Sequence, residues 1–174
     1  QQLKPQPLPE VRKRERLNHW KWIGYKPGQR EKEKENLQQW TSHRHVIADA
    51  GKLIFNDKAK ITVPIDKQSW RFFLEWQVNA GKQATFQLTD ENNSLVQIST
   101  DGSQLKILTG ENEITHSLDK TADFYHVKVE LDLENGRFNT YVNGVLVADF
   151  VPVVNNVAAD QFVIEGSKGL QLDN

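Results

Sequence analysis

Residues 125–150 carry a regular alternation of apolar and polar side chains. Every second residue from 125 to 133 is apolar or aromatic: Tyr125, Val127, Val129, Leu131 and Leu133. Successive side chains of a strand point to opposite faces, so this pattern predicts a half-buried strand of about nine residues. The dipeptides Asn135-Gly136 and Asn143-Gly144 then separate two further extended segments. Because Asn-Gly favours the type I′ turn of a tight hairpin, the sequence predicts a meander of three antiparallel strands.

Short extended segments with similar patterns recur along most of the chain. Residues 69–78 place five large apolar side chains on one face of a predicted strand: Trp70, Phe72, Leu74, Trp76 and Val78. Further short strands are predicted at residues 52–54, 59–65, 83–89, 95–99, 104–108, 113–118 and 161–166. Turn residues separate these segments, and no helix-period segment interrupts them. The sequence therefore predicts an all-β fold, a two-sheet antiparallel jelly-roll sandwich.

Residues 1–35 differ in composition and are predicted to be an extended N-terminal arm in front of a sandwich at residues 36–174. Three prolines within the first ten residues favour extended backbone. Trp20, Trp22 and Tyr25 follow within six residues, and large aromatic side chains seldom stay exposed on a mobile tail. We expect them to form a contact of the arm with the sandwich, with a partner domain or with sugar rings.

The formal net charge of −1 hides an asymmetry along the chain. Residues 1–45 carry eleven Lys or Arg against five Glu, whereas residues 46–174 carry eleven against eighteen Asp or Glu. A basic arm is compatible with an anionic partner. Signs alternate at residues 31–35, however, which is typical of a solvated segment. We therefore expect the arm to lie across its own acidic body, and we predict no nucleic-acid partner.

Composition excludes some further classes. The chain contains no cysteine, which rules out disulfides and thiolate chemistry. No apolar run approaches the roughly 18 residues of a transmembrane helix, so we predict no membrane span. The histidines, at positions 19, 43, 45, 116 and 126, lack metal-ligand spacing, and residues 90–93 are predicted to be a hairpin turn and not a calcium loop. No metal and no cofactor are predicted.

The order of these motifs resembles that of concanavalin A-like (laminin-G-like) β-sandwich domains. In that superfamily an alternating strand, a turn, a short strand and a Val-Asn-Gly turn recur, as at Val142-Asn143-Gly144. Leu37-x-x-Trp40, Asp49-Ala50-Gly51-Lys52-Leu53 and Glu75-Trp76 are similar to the opening of its 3-keto-disaccharide hydrolase-like branch. Residues 169–174 resemble the superfamily's last strand.

The resemblance implies a function as well as a fold. It suggests a non-catalytic carbohydrate-binding or domain-docking module of an exported glycan-processing protein, whose partner is a glycan or an adjacent catalytic domain. A secreted, periplasmic or cell-surface location is then expected, in line with a chain that starts at Gln1. The alternatives are a glycoside hydrolase acting on β-glucan or keto-sugar substrates and a structural or oligomerisation module.

The face of residues 69–78 opposite the apolar one is the candidate carbohydrate-binding surface. It carries four residues: Arg71, Phe73, Glu75 and Gln77. A phenylalanine between charged residues is unusual there, since sugar rings stack on exposed aromatics while polar neighbours bond the hydroxyls. The alternative interpretation is that Phe73 lies beneath the arm or a loop.

A second candidate is the acidic alternation Glu130-Leu131-Asp132-Leu133-Glu134. It matches the E-x-D-x-E motif of laminarinase- and lichenase-type glycoside hydrolases, which implies Glu130 as nucleophile, Glu134 as acid/base and Asp132 as the residue that tunes Glu130. A period of two places all three carboxylates on one strand face. Positions four apart are about 13 Å apart at Cα, whereas retaining hydrolysis needs carboxyl groups about 5–5.5 Å apart. Glu134 also abuts a turn, so we expect a solvated acidic face and no catalysis.

Overall fold

A computed structural model of the protein describes residues 23–25, 44–66, 70–91, 93–110, 112–119, 121–153 and 157–173. These ranges contain strands and turns and no helix. None of them therefore holds a helical segment of the length and hydrophobicity that a bilayer crossing requires.

Fourteen strands are present in the described ranges. In chain order they are β1 Ile23–Tyr25, β2 Val46–Asp49, β3 Lys52–Phe55, β4 Ala59–Pro64, β5 Arg71–Asn79, β6 Ala84–Asp90, β7 Asn93–Thr100, β8 Gln104–Thr109, β9 Asn112–Ser117, β10 Phe124–Asp132, β11 Arg137–Val142, β12 Val145–Pro152, β13 Gln161–Gly166 and β14 Gln171–Asp173. One sheet has eight strands in the order β12-β11-β10-β5-β14-β3-β2, with β1 beside β5. The other has six strands in the order β4-β13-β6-β7-β8-β9. The predicted all-β sandwich of two antiparallel sheets is confirmed.

The core lies between the two sheets and follows the predicted parity. Tyr125, Val127, Val129 and Leu131 on β10, with the buried apolar residues of β5, cover the inner face of the eight-stranded sheet. Trp76 on β5 meets the opposite sheet, its ring centroid 4.5 Å from that of Phe86 and 5.5 Å from that of Phe162. Such aromatic contacts add to the apolar burial that holds two sheets together.

The meander of β10, β11 and β12 is confirmed, but only one of its two turns has the predicted type. Asn143 and Gly144 have φ values of 50° and 80°, as a type I′ turn requires. At the first turn only Gly136 has positive φ, so the prediction of a type I′ turn there is wrong. The reason is a side chain: Oδ1 of Asp132 accepts the Asn135 backbone N–H at 3.1 Å, and Oδ2 accepts its Nδ2 at 2.9 Å. These bonds hold a longer turn, in which Asn135 does not enter the left-handed region.

Two strands were not predicted from the sequence. On β2 only Val46 is buried, so this strand at the edge of its sheet lacks the alternation that marks a half-buried strand. The three-residue β1 pairs in parallel with β5, with Ile23 opposite Phe72 and Tyr25 opposite Leu74. Farther along β5, β14 pairs antiparallel with Val78. Backbone pairing thus attaches one part of the arm to the sandwich, whereas the predicted start at residue 36 lies outside the described residues.

Candidate functional site

The four residues of the predicted carbohydrate-binding face lie on β5, and side chains of β10 contact three of them. Lys128 Nζ lies 4.9 Å from the centre of the Phe73 ring, a cation–π contact. His126 Nε2 lies 2.7 Å from Glu75 Oε2. Gln77 is half-buried on the same face. The strand period therefore brings these residues together as predicted, but the interactions shown hold the ring and one carboxylate within the sheet itself.

Arg71 differs from the other three, because it is buried. Its Nε lies 3.2 Å from Asp132 Oδ2, and its Nη1 lies 3.4 Å from Glu134 Oε2. Asp132 is buried as well and also holds the turn after β10. Because a buried charge is tolerated only where it is paired, this ion pair fixes Arg71 of β5 beside the turn after β10.

The three carboxylates of the hydrolase motif occupy three different environments. The Glu130 side chain is 11% exposed and lies 3.8 Å from Lys128 Nζ. Asp132 contacts Arg71 and the Asn135 turn. The Glu134 side chain is 46% exposed and lies beyond the end of β10. Asp132 and Glu134 thus converge on a guanidinium, and this geometry favours a structural role for Asp132.

An open depression lies elsewhere, at the end of the six-stranded sheet where β6 begins and β7 and β13 end. Its volume is about 430 Å³. Strand pairing places Thr85 opposite both Glu165 and Ser99, so these three side chains form a row on neighbouring strands along the depression. Loop residues line the rest of it: Lys58, Asp101, Ser167 and Lys168.

Backbone contacts bring the basic loop residues of the depression to the same side. Ala59 pairs with Gly166, which places Lys58 next to the segment that carries Ser167 and Lys168. The Phe55 N–H also donates to the Leu170 carbonyl at 2.9 Å, which ties the turn after β3 to the turn after β13. Lys58 and Lys168 consequently border one side of the depression.

Asp101 places a fixed negative charge on another side of the depression. Its Oδ1 accepts the Ser103 N–H at 2.9 Å, the Gln104 N–H at 3.0 Å and the Ser103 hydroxyl at 2.9 Å. These bonds, that from the Ser103 N–H most of all, lower the pKa of Asp101 to about 2. The carboxylate is therefore ionised at neutral pH and held in one orientation.

The other polar groups of the depression are available to a ligand. Among the described residues, the side chains of Thr85, Ser99, Glu165 and Lys168 have no hydrogen-bond or ion-pair partner. Hydroxyl groups both donate and accept, a carboxylate accepts, and an ammonium donates up to three bonds. The arrangement can bind a small hydroxylated molecule from several sides.

Sequence reasoning missed the depression because no motif spans it. Its lining comes from the turn after β3, the start of β6, the end of β7 and the end of β13. Thr85, Ser99 and Glu165 each alternate with buried residues, so the sequence shows them only as the solvent side of short strands. The signal lies in the pairing of the strands, which the linear pattern does not contain.

The remaining predicted residues fall mostly outside the described ranges. Trp20 and Trp22 of the predicted arm contact lie outside them, and Tyr25 is described through its backbone in β1. His19 and His43 lie outside them too. Over the part of the chain that the structure covers, no three or more His, Cys, Asp or Glu side chains gather as metal ligands would.

Comparison with known proteins identifies the fold through structures alone. No family model matches the chain, and no curated protein matches its sequence. A Trypanosoma rangeli sialidase, solved in complex with 2-keto-3-deoxy-D-glycero-D-galacto-2,3-difluoro-nononic acid, has a TM-score of 0.60 at 18% identity over 75% of this chain and 25% of its own. A second sialidase has a TM-score of 0.57 at 15% identity over 73% of this chain and 15% of its own. The chain thus spans a quarter or less of the two sialidases.

A tetrameric galectin from the ball sponge Cinachyrella sp. matches over nearly its whole length. Its TM-score is 0.50 at 13% identity, over 67% of this chain and 96% of the galectin. At these identities the similarities concern the fold alone, and the 3-keto-disaccharide hydrolase-like branch stays a prediction. The chain shares a two-sheet β-sandwich fold with these proteins, and membership of the concanavalin A-like superfamily, which its strand and turn motifs resemble, stays a prediction.

Proposed function

We propose that this domain is a non-catalytic glycan-binding module and that its ligand enters the depression at the end of the six-stranded sheet. The observation that carries the proposal is the open volume of about 430 Å³ bordered by hydroxyl, carboxylate and ammonium groups. Sites for small ligands occupy roughly 300–1,000 Å³ and use a few placed polar groups for orientation. Sugar hydroxyls, which donate and accept hydrogen bonds, match the mixed lining.

The depression is a better candidate than the predicted face on β5. On that face Phe73 stacks against Lys128, and Glu75 contacts His126. A sugar would have to displace these contacts, and a neutral hydrogen bond contributes only about 0.5–1.5 kcal/mol net. In the depression, a sugar can bind Glu165 and Ser99 without displacing a side-chain contact between described residues. The face on β5 remains the second location, and variants can distinguish the two.

Support for glycans as the ligand class comes from the fold. It is shared with a protein named as a galectin and with segments of two sialidases, one of them solved with a bound sugar-acid derivative. Those names describe other proteins, and they make glycans the first ligands to test here. An adjacent catalytic domain is the second partner that we propose, in an exported glycan-processing protein.

The experiment is binding to a glycan array and to a polysaccharide panel, with variants at each location. We expect Glu165→Gln to weaken the affinity for the bound glycan about tenfold, because a hydrogen bond to a charged group contributes about 1.5–3 kcal/mol. Phe73→Ala tests the face on β5. The matched control is Glu113→Gln, which changes an exposed glutamate on β9 of the same sheet.

The outcomes separate the two locations and the function itself. Weaker binding by Glu165→Gln, with normal binding by Phe73→Ala and Glu113→Gln, supports the depression. The reverse pattern would move the site to β5. A folded protein that retains no glycan on either platform would contradict glycan binding.

A further inference from the structure

Among the described residues, the lining of the depression has no aromatic ring. These residues are small, polar or charged: Lys58, Gln83, Ala84, Thr85, Ser99, Thr100, Asp101, Glu165, Gly166, Ser167 and Lys168. What they offer a ligand is hydrogen bonds and charge.

Positive charge is concentrated around the depression. Lys58 and Lys168 line it, and neither is within ion-pair distance of a described carboxylate. Lys60 and Lys106 lie on flanking strands, opposite Glu165 and Ser99 in the register. These four lysines are among only eleven Lys or Arg in residues 46–174, a stretch with eighteen Asp or Glu. The basic groups therefore gather at the depression on an otherwise acidic body.

Positive and negative side chains also lie on different sides of the depression. The two lysines come from adjacent turns on one side, whereas Asp101 is held on another by its bonds to Ser103 and Gln104. Glu165 lies in the row of side chains along the strands, next to Thr85. An anionic group is favoured beside the lysines, and hydroxyl donors are favoured beside the two carboxylates.

We infer that the depression takes a sugar acid, with its carboxylate toward Lys58 and Lys168 and its hydroxyls toward Glu165 and Ser99. The inference rests on the proposed function and names its ligand class. Charge-assisted hydrogen bonds are about twice as strong as neutral ones. A carboxylated sugar uses the ammonium groups in this way, whereas a neutral sugar gains mainly neutral bonds that water also offers.

The test uses ligand pairs that differ in charge alone or nearly so. They are oligogalacturonate and its methyl ester, an oligoglucuronate and the matching oligoglucose, and sialyllactose and its methyl ester. Binding of the purified protein is measured by calorimetry at low and high salt. We expect at least one acidic member to bind at least tenfold more tightly than its neutral partner, with the difference shrinking as salt screens the exposed lysines.

Variants then locate the charge contact. Lys58→Gln and Lys168→Gln should each weaken binding of the acidic sugar about fivefold and leave the neutral partner within about twofold. Lys52→Gln removes the same charge from β3 of the other sheet and should change neither affinity. All three are surface changes, expected within about 0.5 kcal/mol of the wild-type stability, which thermal unfolding checks.

Each result has one meaning. A preference for acidic members that each of the two lysine variants reduces supports the inference. Equal binding of acidic and neutral members, weakened by Glu165→Gln, would overturn the sugar-acid class and leave the proposed function standing. Binding that no variant in the depression changes would overturn the inference and move the glycan site elsewhere, and no binding at all would overturn both the inference and the proposed function.

Discussion

At the scale of single residues, Gly102 is a position where the fold has no room for a side chain. Its φ is 92°, and a Cβ built there would lie 2.7 Å from the Gly81 Cα. Backbone atoms cannot move aside as a flexible side chain would. We expect Gly102→Ala to lower the free energy of unfolding by about 3 kcal/mol, from left-handed strain together with the clash. Urea denaturation measures the change.

Gly110 offers a matched control for this prediction. Its φ is 56°, and among the described residues an added Cβ would meet nothing within 4 Å beyond its two chain neighbours. Gly110→Ala therefore tests strain without a clash and should cost about 1 kcal/mol. Equal losses for the two variants would show that the contact with Gly81 contributes nothing.

At the scale of elements, the end of β10 shows how one carboxylate organises a turn while its neighbour does not. Asp132 contacts buried Arg71 and the Asn135 turn, whereas the Glu134 side chain is about half exposed and contacts Arg71 alone among these groups. We expect Asp132→Asn to lower the free energy of unfolding by about 3 kcal/mol, because the Arg71 charge loses its buried partner. Glu134→Gln should change it by no more than about 0.5 kcal/mol. Chemical denaturation of both variants checks the difference.

The same variants address the hydrolase interpretation. If Glu130 and Glu134 were nucleophile and acid/base, Glu130→Gln and Glu134→Gln would each reduce hydrolysis of a β-glucan by orders of magnitude. We expect neither the wild type nor these variants to release reducing sugar from laminarin or lichenan. Release by the wild type that either substitution abolishes would make the protein an enzyme.

At the scale of the whole molecule, stability should fall at high pH through Tyr125. Burial raises the pKa of this side chain from 10.0 to about 12, with the Thr100 hydroxyl lowering it and the Asp101 charge raising it to smaller extents. Above pH 10 the unfolded chain releases this proton while the folded chain keeps it, so the stability falls as pH rises from about 10 to about 12. The loss is on the order of 2 kcal/mol.

Replacing Tyr125 by Phe isolates this contribution. The variant should keep its fold, because the aromatic ring still fills the same buried position on β10. Its free energy of unfolding, measured in urea from pH 8 to 11.5, should decline less steeply than that of the wild type. Parallel curves for the two proteins would contradict the assignment to Tyr125.

The sequence alone determined the class of fold and the faces of its main strands. The alternation of apolar and polar residues at Tyr125–Leu131 and Phe72–Val78 predicts which side chains meet the core. It does so because successive side chains of any strand point to opposite faces, whatever the strand pairs with. Asn143-Gly144 likewise defines its own turn. The type of turn at Asn135, in contrast, depends on a hydrogen bond that the Asp132 carboxylate accepts from the Asn135 N–H. A rule based on the Asn-Gly dipeptide alone does not include this bond.

Only the tertiary structure decided where a ligand can bind. The linear pattern placed Arg71, Phe73, Glu75 and Gln77 on one face but did not show that β10 supplies contacts to three of them. It gave no sign of the depression, whose Lys58, Asp101 and Glu165 are more than forty positions apart in sequence. The order of the strands in the sheet brings these residues together. That order depends on how two whole sheets bury their apolar faces against each other, which no single stretch of sequence determines.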